Sequence, residues 1–284
     1  MPNTRDIRRR IKSVQSTRQL TKAMKMVSAA KLRRSQERML ASRPYSQMMQ
    51  RVLRSLASRA NPESHPLLAE RAENRIELVV MTADKGLCGS FNTNIIKRAQ
   101  TFLLEKGERT RALHCVGKRG RDFFRRRNIP MAQEYVDVFR NVDPGQAAEI
   151  ARDLIARFTG NHLDAVYLIY NEFKSVLQQR VIVDRLIPIE RHEFGEGEAR
   201  EDYIYEPAAA ALFDEMLPRH IEVQVYHAML ESAAAEHGAR MAAMEAATSN
   251  AGEMIESLTL YLNRVRQASI TKEIIEVVSG AQAL

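Results

Sequence analysis

The chain has 284 residues, of which 45% are apolar and 27% charged, the composition of a folded rather than a disordered protein. Its two cysteines, Cys88 and Cys115, do not form the pattern of a disulfide-rich secreted protein, and no apolar run reaches the roughly 18–20 residues needed to cross a bilayer. The N-terminus has no apolar signal segment, so we expect its Arg-rich helical pattern to belong to the mature protein.

Charge is distributed unevenly along the chain. Residues 1–60 hold 16 Lys or Arg and two acids, a net charge of 16 − 2 = +14, whereas residues 211–284 hold five Lys or Arg and ten acids, 5 − 10 = −5. If both ends are long helices, this complementarity favours their packing side by side in antiparallel fashion.

The first segment, residues 3–59, has the pattern of one long helix. Its apolar residues recur at three-and-four spacing, which is typical of a narrow coiled-coil seam: Ile7, Ile11 and Val14, followed less strictly by Leu20, Met24, Val27 and Leu32. Pro44 predicts a kink or a short break.

The middle of the chain alternates between strand and helix patterns. Strands are predicted at 75–83, 111–116, 129–135, 163–170 and 180–189, and helices at 91–106 and 144–158. A turn with solvated charge is predicted at 117–120, followed by a short basic helix that ends at residue 127. This alternation predicts a small open α/β domain with a mainly parallel sheet. Pro188 places the last strand at an edge or makes it antiparallel. An acidic, irregular linker is expected at 191–207.

The last segment, from Pro218 to the C-terminus, contains no further proline and predicts one uninterrupted helix. Ile274, Ile275 and Val278 make its end apolar on several faces, which indicates either insertion into a partner or ordinary fraying. We therefore expect an α/β fold in which two long antiparallel helices, 1–60 and 208–284, flank a domain at 61–207.

No catalytic, cofactor or metal site is legible in the sequence. The loop Gly86-Leu87-Cys88-Gly89 follows a strand and precedes a helix, where phosphates bind in α/β folds, but it lacks the established phosphate-binding patterns. A tight turn with a free cysteine is favoured over a nucleotide-binding enzyme. A basic coiled-coil arm that binds nucleic acid is the alternative from another class, disfavoured because the helix lacks interleaved aromatic residues.

Four stretches of sequence, in order and with characteristic spacing, carry a family resemblance. They are IRRRIKSVQSTRQLTKAMKMVSAAKLRRSQ at 7–36, DKGLCGSFNTNI at 84–95, YIYEP at 203–207, and ARMAAMEAATSNAGEMI and NRVRQASITKEIIEVVSGAQAL within 239–284. With these stretches the chain resembles the gamma subunits of F-type ATP synthases, bacterial type. The resemblance implies a coiled coil beside a Rossmann-like domain, and a non-catalytic rotor shaft.

The resemblance also implies the partners. The shaft would turn inside a hexamer of alternating alpha and beta subunits and would contact the epsilon subunit and the ring of c subunits, with delta reached only indirectly. No cofactor and no nucleic acid would be bound, and membrane association at the cytoplasmic face of the bacterial inner membrane would come only through the complex. Whether protons or sodium ions drive rotation is decided in the c ring.

Particular residues match family contact positions. Arg266 and Gln267 match a catch for beta and alpha loops, Lys22 and Met24 match the helix that faces the beta-subunit lever, and Ile274, Ile275 and Val278 match a tip held in a hydrophobic sleeve. Lys85, Gly86, Leu87, Cys88 and Gly89 match a loop that touches a beta subunit, and Tyr203, Tyr205 and Glu206 match the foot that meets epsilon and the c ring. Lys25 departs from the family, where an acidic residue is common.

Overall fold

A computed structural model of the chain describes residues 4–57, 65–176, 178–189 and 209–282. The chain forms two compact units. One comprises Met1–Ser28 and Met241–Leu284 and is here called the two-helix unit; the other comprises Ala29–Arg240 and is called the α/β unit. The division of the sequence at residues 60 and 207 remains a prediction.

Both terminal segments form the long helices that the sequence predicts. Helix α1 spans Thr4–Ala57 and helix α5 spans Ala209–Gln282. Helix α1 runs through Pro44, so of the two predicted alternatives the break is wrong and the kink stays a prediction. Helix α5 begins at Ala209, next to the predicted boundary at 208 and nine residues before Pro218. A proline inside a helix removes one hydrogen bond at a cost of about 3 kcal/mol, and the buried residues Leu217 and Ile221 next to Pro218 offset that cost through packing.

In the sequence, the alternating α/β region lies between the two long helices. Its elements in order are β1 Ile76–Met81, α2 Phe91–Lys106, β2 Thr110–Val116, α3 Lys118–Arg125, β3 Met131–Tyr135, α4 Pro144–Thr159, β4 Ala165–Phe173 and β5 Gln179–Ile187. The strand order is β3-β2-β1-β4-β5, and only the β4–β5 pair is antiparallel. The mainly parallel sheet with an antiparallel edge strand is therefore confirmed, and Pro188 lies just beyond that strand.

The sheet is covered on both faces, as a parallel sheet requires. All six residues of β1 are buried. One core contains Ile150, Leu154 and Phe158 of α4 together with Leu217 and Met229 of α5. A second core contains Phe91, Ile95 and Phe102 of α2 together with Cys115 and Ala235. Helix α5 thus supplies side chains to both cores of the α/β unit.

A charged network lies within this core. The carboxylate of Glu77 on β1 is 1% exposed; it contacts the His114 ring at 2.6 Å and accepts a hydrogen bond from Arg157 Nε at 3.0 Å. Burial alone would raise the pKa of Glu77, but the hydrogen bonds from His114 and Arg157 outweigh burial and lower it. The buried charge is therefore neutralised locally.

In the two-helix unit, the helical segments pair in antiparallel fashion. Thr248 donates a hydrogen bond to the Thr21 hydroxyl at 2.8 Å, Lys25 forms an ion pair with Glu245, and Gly252 lies beside the Arg18 guanidinium. The α1 partner rises in number as the α5 partner falls, so the predicted antiparallel pairing is confirmed here.

Part of the coiled-coil seam predicted for α1 is shifted by one residue in the structure. Leu20 and Val27 are exposed, whereas Thr21 and Ser28 take the buried positions. Both hydroxyls are satisfied inside the helix, since Thr21 donates to the Arg18 carbonyl and Ser28 to the Met24 carbonyl. Small polar side chains can therefore occupy a seam that a hydrophobic pattern alone would assign to their neighbours.

Within the described residues, every helix is too short or too polar to cross a bilayer.

Candidate subunit-contact surfaces

The loop at 84–90 of the α/β unit is a tight turn with an inward cysteine and an outward leucine. Leu87 has a φ of 61° and Gly89 a φ of 56°, and the Leu87 side chain is 64% exposed. Cys88 is buried and free, and burial raises the pKa of its thiol. Asn92 fixes the turn by accepting a hydrogen bond from the Ala83 amide at 2.8 Å and donating to Cys88 Sγ at 3.2 Å. The tight-turn interpretation of the sequence is confirmed.

The same loop is held on α5 by a buried arginine. Arg240 is 9% exposed, and its Nη2 donates to the Gly86 carbonyl at 3.2 Å and to the Lys85 carbonyl at 3.5 Å. The Arg240 guanidinium also pairs with Glu236, one helical turn earlier, at 2.6 Å. These hydrogen bonds from Arg240 to the carbonyls of Lys85 and Gly86 fix the position of this part of the loop.

Two further ionisable groups complete this cluster. Burial raises the pKa of Glu236, against the opposite effect of Arg240. Burial, together with the positive charges of Arg240 and Lys31, lowers the pKa of His237 from 6.5 to about 4. Arg240 can only donate hydrogen bonds, so the His237 Nδ1 atom, 3.4 Å from Arg240 Nη1, is the acceptor and the imidazole is neutral. No role was predicted for Arg240, Glu236 or His237, because nothing in the sequence around Arg240 marks its contact with Gly86, 154 residues away.

In the two-helix unit, the predicted contact residues of α1 lie next to an ion pair. Lys22 is exposed and Met24 is half-buried. Lys25, the residue after Met24, forms an ion pair with Glu245 of α5. Lys25 therefore has a partner within the chain.

The predicted contact residues of α5 in this unit are exposed. Every residue at positions 266–279 is exposed, and the apolar residues Ile274, Ile275 and Val278 are 57%, 59% and 51% exposed. Within the described part of the chain, the Arg266 and Gln267 side chains have no hydrogen-bond or salt-bridge partner. Their donors and acceptors are available to another molecule.

Three predicted contact residues, Tyr203, Tyr205 and Glu206, lie outside the described residues. Among residues that are described, no three His, Cys, Asp or Glu side chains are placed to hold a metal ion. The remaining predicted contacts fall into two groups: the 85–89 loop of the α/β unit, and positions of the two-helix unit that are exposed except for the half-buried Met24.

Comparison with known proteins identifies the family. Residues 3–284 match the protein family described as ATP synthase, and the ATP synthase gamma chain of Anaeromyxobacter dehalogenans strain 2CP-C is 51% identical with full coverage of both chains. The chain belongs to the ATP synthase gamma chain family. The ATP synthase gamma chain of Pelotomaculum thermopropionicum is similarly related, at 50% identity and full coverage of both chains.

Solved structures show the same fold. A chain from the central stalk and c-ring structure of the Tetrahymena thermophila mitochondrial ATP synthase has a TM-score of 0.62 and 29% identity, and the match covers 80% of this chain and 99% of that one. A chain from the Euglena gracilis mitochondrial ATP synthase has a TM-score of 0.70 at 18% identity, covering 99% and 94% of the two chains. The nucleic-acid alternative finds no support among these relatives.

Proposed function

We propose that this protein is the non-catalytic rotor shaft of a bacterial ATP synthase, which couples rotation of a c-subunit ring to the conformational cycle of nucleotide sites on other subunits. The observation that carries the proposal is the exposed segment 266–279, in a chain that full-length relatives name a gamma chain. A helix end that leaves Ile274, Ile275 and Val278 in water is unfavourable in isolation and suits insertion into a partner.

Each set of predicted contact residues in the two-helix unit is assigned a partner. Arg266 and Gln267, which have unused polar groups, would hydrogen-bond loops of the surrounding alpha and beta subunits. Lys22 and Met24 would face the lever of a beta subunit. The apolar end of α5 would turn in a hydrophobic sleeve. Each contact would be remade three times per turn, so moderate and reversible interactions suit it better than buried ones.

On the α/β unit, the loop of residues 85–89 would touch a beta subunit, and Arg240 would keep that loop in place. Tyr203, Tyr205 and Glu206 would meet the epsilon subunit and the c ring, while delta would be reached only indirectly. The protein would thus lie at the cytoplasmic face of the inner membrane through its complex.

The mechanism is allosteric coupling by contact energy. A shaft of uneven cross-section stabilises different conformations of the three catalytic sites at each angle, so rotation shifts the populations of those conformations. For this coupling, the chain needs side chains with different contacts on different faces. The exposed arginines Arg8, Arg9 and Arg10 of α1 and the apolar end of α5 provide such unequal surfaces.

Reconstitution tests the proposal. Mixing the purified chain with alpha and beta subunits of a close relative should give a complex with ATPase activity that depends on the chain. Deleting the residues after Ile270 should weaken assembly only modestly, since contacts along the rest of the shaft remain. Failure of the full-length chain both to assemble and to activate hydrolysis would reject the rotor function.

A further inference from the structure

Helix α4 and the sheet meet at a buried cluster of ionisable side chains. His114 of β2 is fully buried and lies between two carboxylates: Glu77 of β1 is 2.6 Å from its Nε2 atom, and Asp153 of α4 is 3.8 Å from its Nδ1 atom. Arg157, one turn after Asp153, donates a hydrogen bond to Glu77 at 3.0 Å. The cluster therefore joins strands β1 and β2 to α4.

Two atoms of this cluster lack a hydrogen bond. Within the described part of the chain, His114 Nδ1 and Asp153 Oδ2 are both buried and without a hydrogen-bond partner, although the Asp153 side chain as a whole is 31% exposed. A buried polar atom without a partner is unfavourable. Because these two atoms face each other across 3.8 Å, one proton between them would satisfy both after a small shift of the Asp153 side chain.

The number of protons on His114 decides whether this arrangement is favourable. Against the effect of burial, hydrogen bonds from His114 and Arg157 lower the pKa of Glu77, so this carboxylate is ionised and only accepts. A neutral imidazole would donate its single N–H to Glu77 and turn the Nδ1 lone pair toward the Asp153 oxygen. An imidazolium has an N–H for each carboxylate, and its charge, with that of Arg157, balances the two acids.

We infer that His114 is an imidazolium in the folded protein, and that the proton it holds between Glu77 and Asp153 clamps α4 to the sheet. Two more ionisable groups face this site, Tyr135 of β3 and Glu149 of α4. Burial raises the pKa of Tyr135 to about 12, so its phenol stays neutral. The inference concerns the folded chain itself and does not depend on the proposed function.

The clamp also bears on how α4 is held at its amino end. Arg38 of α1 donates hydrogen bonds to the Asn141 side chain at 2.9 Å and to the Val142 carbonyl at 3.3 Å, just before α4 begins. Loss of the proton would place the Nδ1 lone pair against the Asp153 carboxylate and push α4 away from the sheet. Helix α4 thus connects a proton-binding site to α1 within the α/β unit.

Release of this proton should make the protein less stable as pH rises. An unfolded histidine loses its proton near pH 6.5, whereas the two carboxylates retain it in the folded chain above that pH. The contribution of His114 is therefore complete below about pH 6.5, and above it one linked proton increases the unfolding equilibrium constant by up to about tenfold per pH unit. His237 acts with the opposite sign and at lower pH, so its contribution is constant above pH 7.5.

Nitrogen NMR tests the protonation state directly, because the chemical shift of a ring nitrogen depends on whether it carries a hydrogen. The full-length chain is labelled in its seven histidines, and His114 is assigned by through-bond correlation with its backbone amide. At pH 7.5 we expect both of its ring nitrogens to be protonated. His237, which is neutral at this pH, is the internal reference with one protonated and one bare nitrogen. A bare Nδ1 in His114 at pH 7.5 would overturn the inference.

The variant Asp153→Asn separates the proton from the hydrogen bond, since the Asn amide can donate to the Nδ1 atom of a neutral imidazole. Its unfolding equilibrium constant should increase less between pH 7.5 and 8.5 than that of the wild type, by a factor of up to about ten. The matched control is Glu149→Gln, which removes one exposed negative charge from the same helix and should keep the wild-type pH dependence. Wild-type pH dependence in Asp153→Asn, or the same loss of it in both variants, would overturn the inference.

Amide hydrogen exchange tests the clamp on α4. After correction for the chemical effect of pH on exchange, protection of residues 150–158 in the wild type should fall several-fold between pH 7.5 and 8.5, and more than protection of α2. A fall no larger than that in α2 would show that the proton does not hold α4. These measurements use the isolated chain, so they stand whether or not the chain assembles with other subunits, and the wild-type spectrum decides even where a variant does not fold.

Discussion

The two halves of α5 differ in what surrounds them. From Leu217 to Arg240 the helix belongs to the α/β unit, where it buries residues such as Met229, Leu230 and Ala234 and even the ionisable side chains Glu236 and Arg240. From Arg266 to Ser279, in the two-helix unit, every residue is exposed. One continuous helix therefore carries a segment whose sequence is dictated by the fold and a segment whose sequence the fold does not explain.

This difference predicts separate consequences of mutation. Changes in the first segment should destabilise the protein, whereas changes in the second should leave folding intact and alter only what the complex does. The following substitutions test that separation, beginning with the largest expected effect on stability.

Arg240→Ala should have the largest effect. It removes the only cation paired with Glu236 in the described part of the chain and three hydrogen bonds to the carbonyls of residues 85 and 86. Breaking a buried pair by removing one partner costs about 3–5 kcal/mol, which urea unfolding would measure. The double variant Glu236→Leu/Arg240→Met removes both charges and should recover part of that loss. A double variant as unstable as Arg240→Ala would mean that the loop contacts, not the buried pair, dominate.

His237 should make stability depend on pH. Its pKa is depressed to about 4 in the folded state by burial and neighbouring cations, against 6.5 when unfolded. A depressed pKa contributes stability above pH 6.5 that is lost as pH falls toward 4, and between pH 7.5 and 5 the loss from this group is about 2 kcal/mol. The measurement is the free energy of unfolding at the two pH values.

The neutral variant His237→Gln should show a smaller change over the same pH interval. It does not titrate, and its side chain can still accept a hydrogen bond from Arg240. A pH dependence identical to that of the wild type would show that His237 is not the responsible group.

Lys25→Ala should have a small effect. The ion pair with Glu245 is partly exposed, with side chains 40% and 59% accessible, and such pairs contribute about 1 kcal/mol or less. Lys25→Glu places two carboxylates together, so it should loosen this part of the two-helix unit slightly more. Faster amide hydrogen exchange in residues 18–28 would report it. Unchanged exchange in both variants would show that the pair contributes nothing to the helix pairing.

Much of the fold was predictable because local signals agreed with one another. Helix α2 begins and ends where the sequence predicts, and the N-cap Asp143 and C-cap Gly160 delimit α4. A break at Pro44 and a helix start at Pro218 were not found, because the penalty of a few kcal/mol for proline is local, while packing along a long helix is cumulative. Leu20 and Val27 were wrongly assigned to the seam, because hydrogen bonds satisfy the hydroxyls of Thr21 and Ser28 and allow these residues to be buried there instead.

The candidate contacts were less accessible to sequence reasoning. Arg266 and Gln267 were proposed as contacts only through the family resemblance, since an exposed residue has no pattern imposed by packing. The apolar tip was recognised from its own residues, and the resemblance added only the kind of partner. Arg240 was missed for the opposite reason, because its partners, Gly86 and Lys85, are distant in sequence and contribute backbone carbonyls that any residue would present. The predicted turn at 117–120 was wrong, because Lys118, Arg119 and Gly120 already belong to helix α3.

The most direct test of the account compares Arg266→Ala with Arg264→Ala, another exposed arginine of the same helix. Each variant is reconstituted in the complex, and both ATP synthesis and the free energy of unfolding of the isolated chain are measured. The account predicts that Arg266→Ala lowers the synthesis rate several-fold and that Arg264→Ala lowers it less, while both change unfolding by no more than about 0.5 kcal/mol. Wild-type synthesis by Arg266→Ala, or a loss of synthesis that follows a loss of stability, would contradict it.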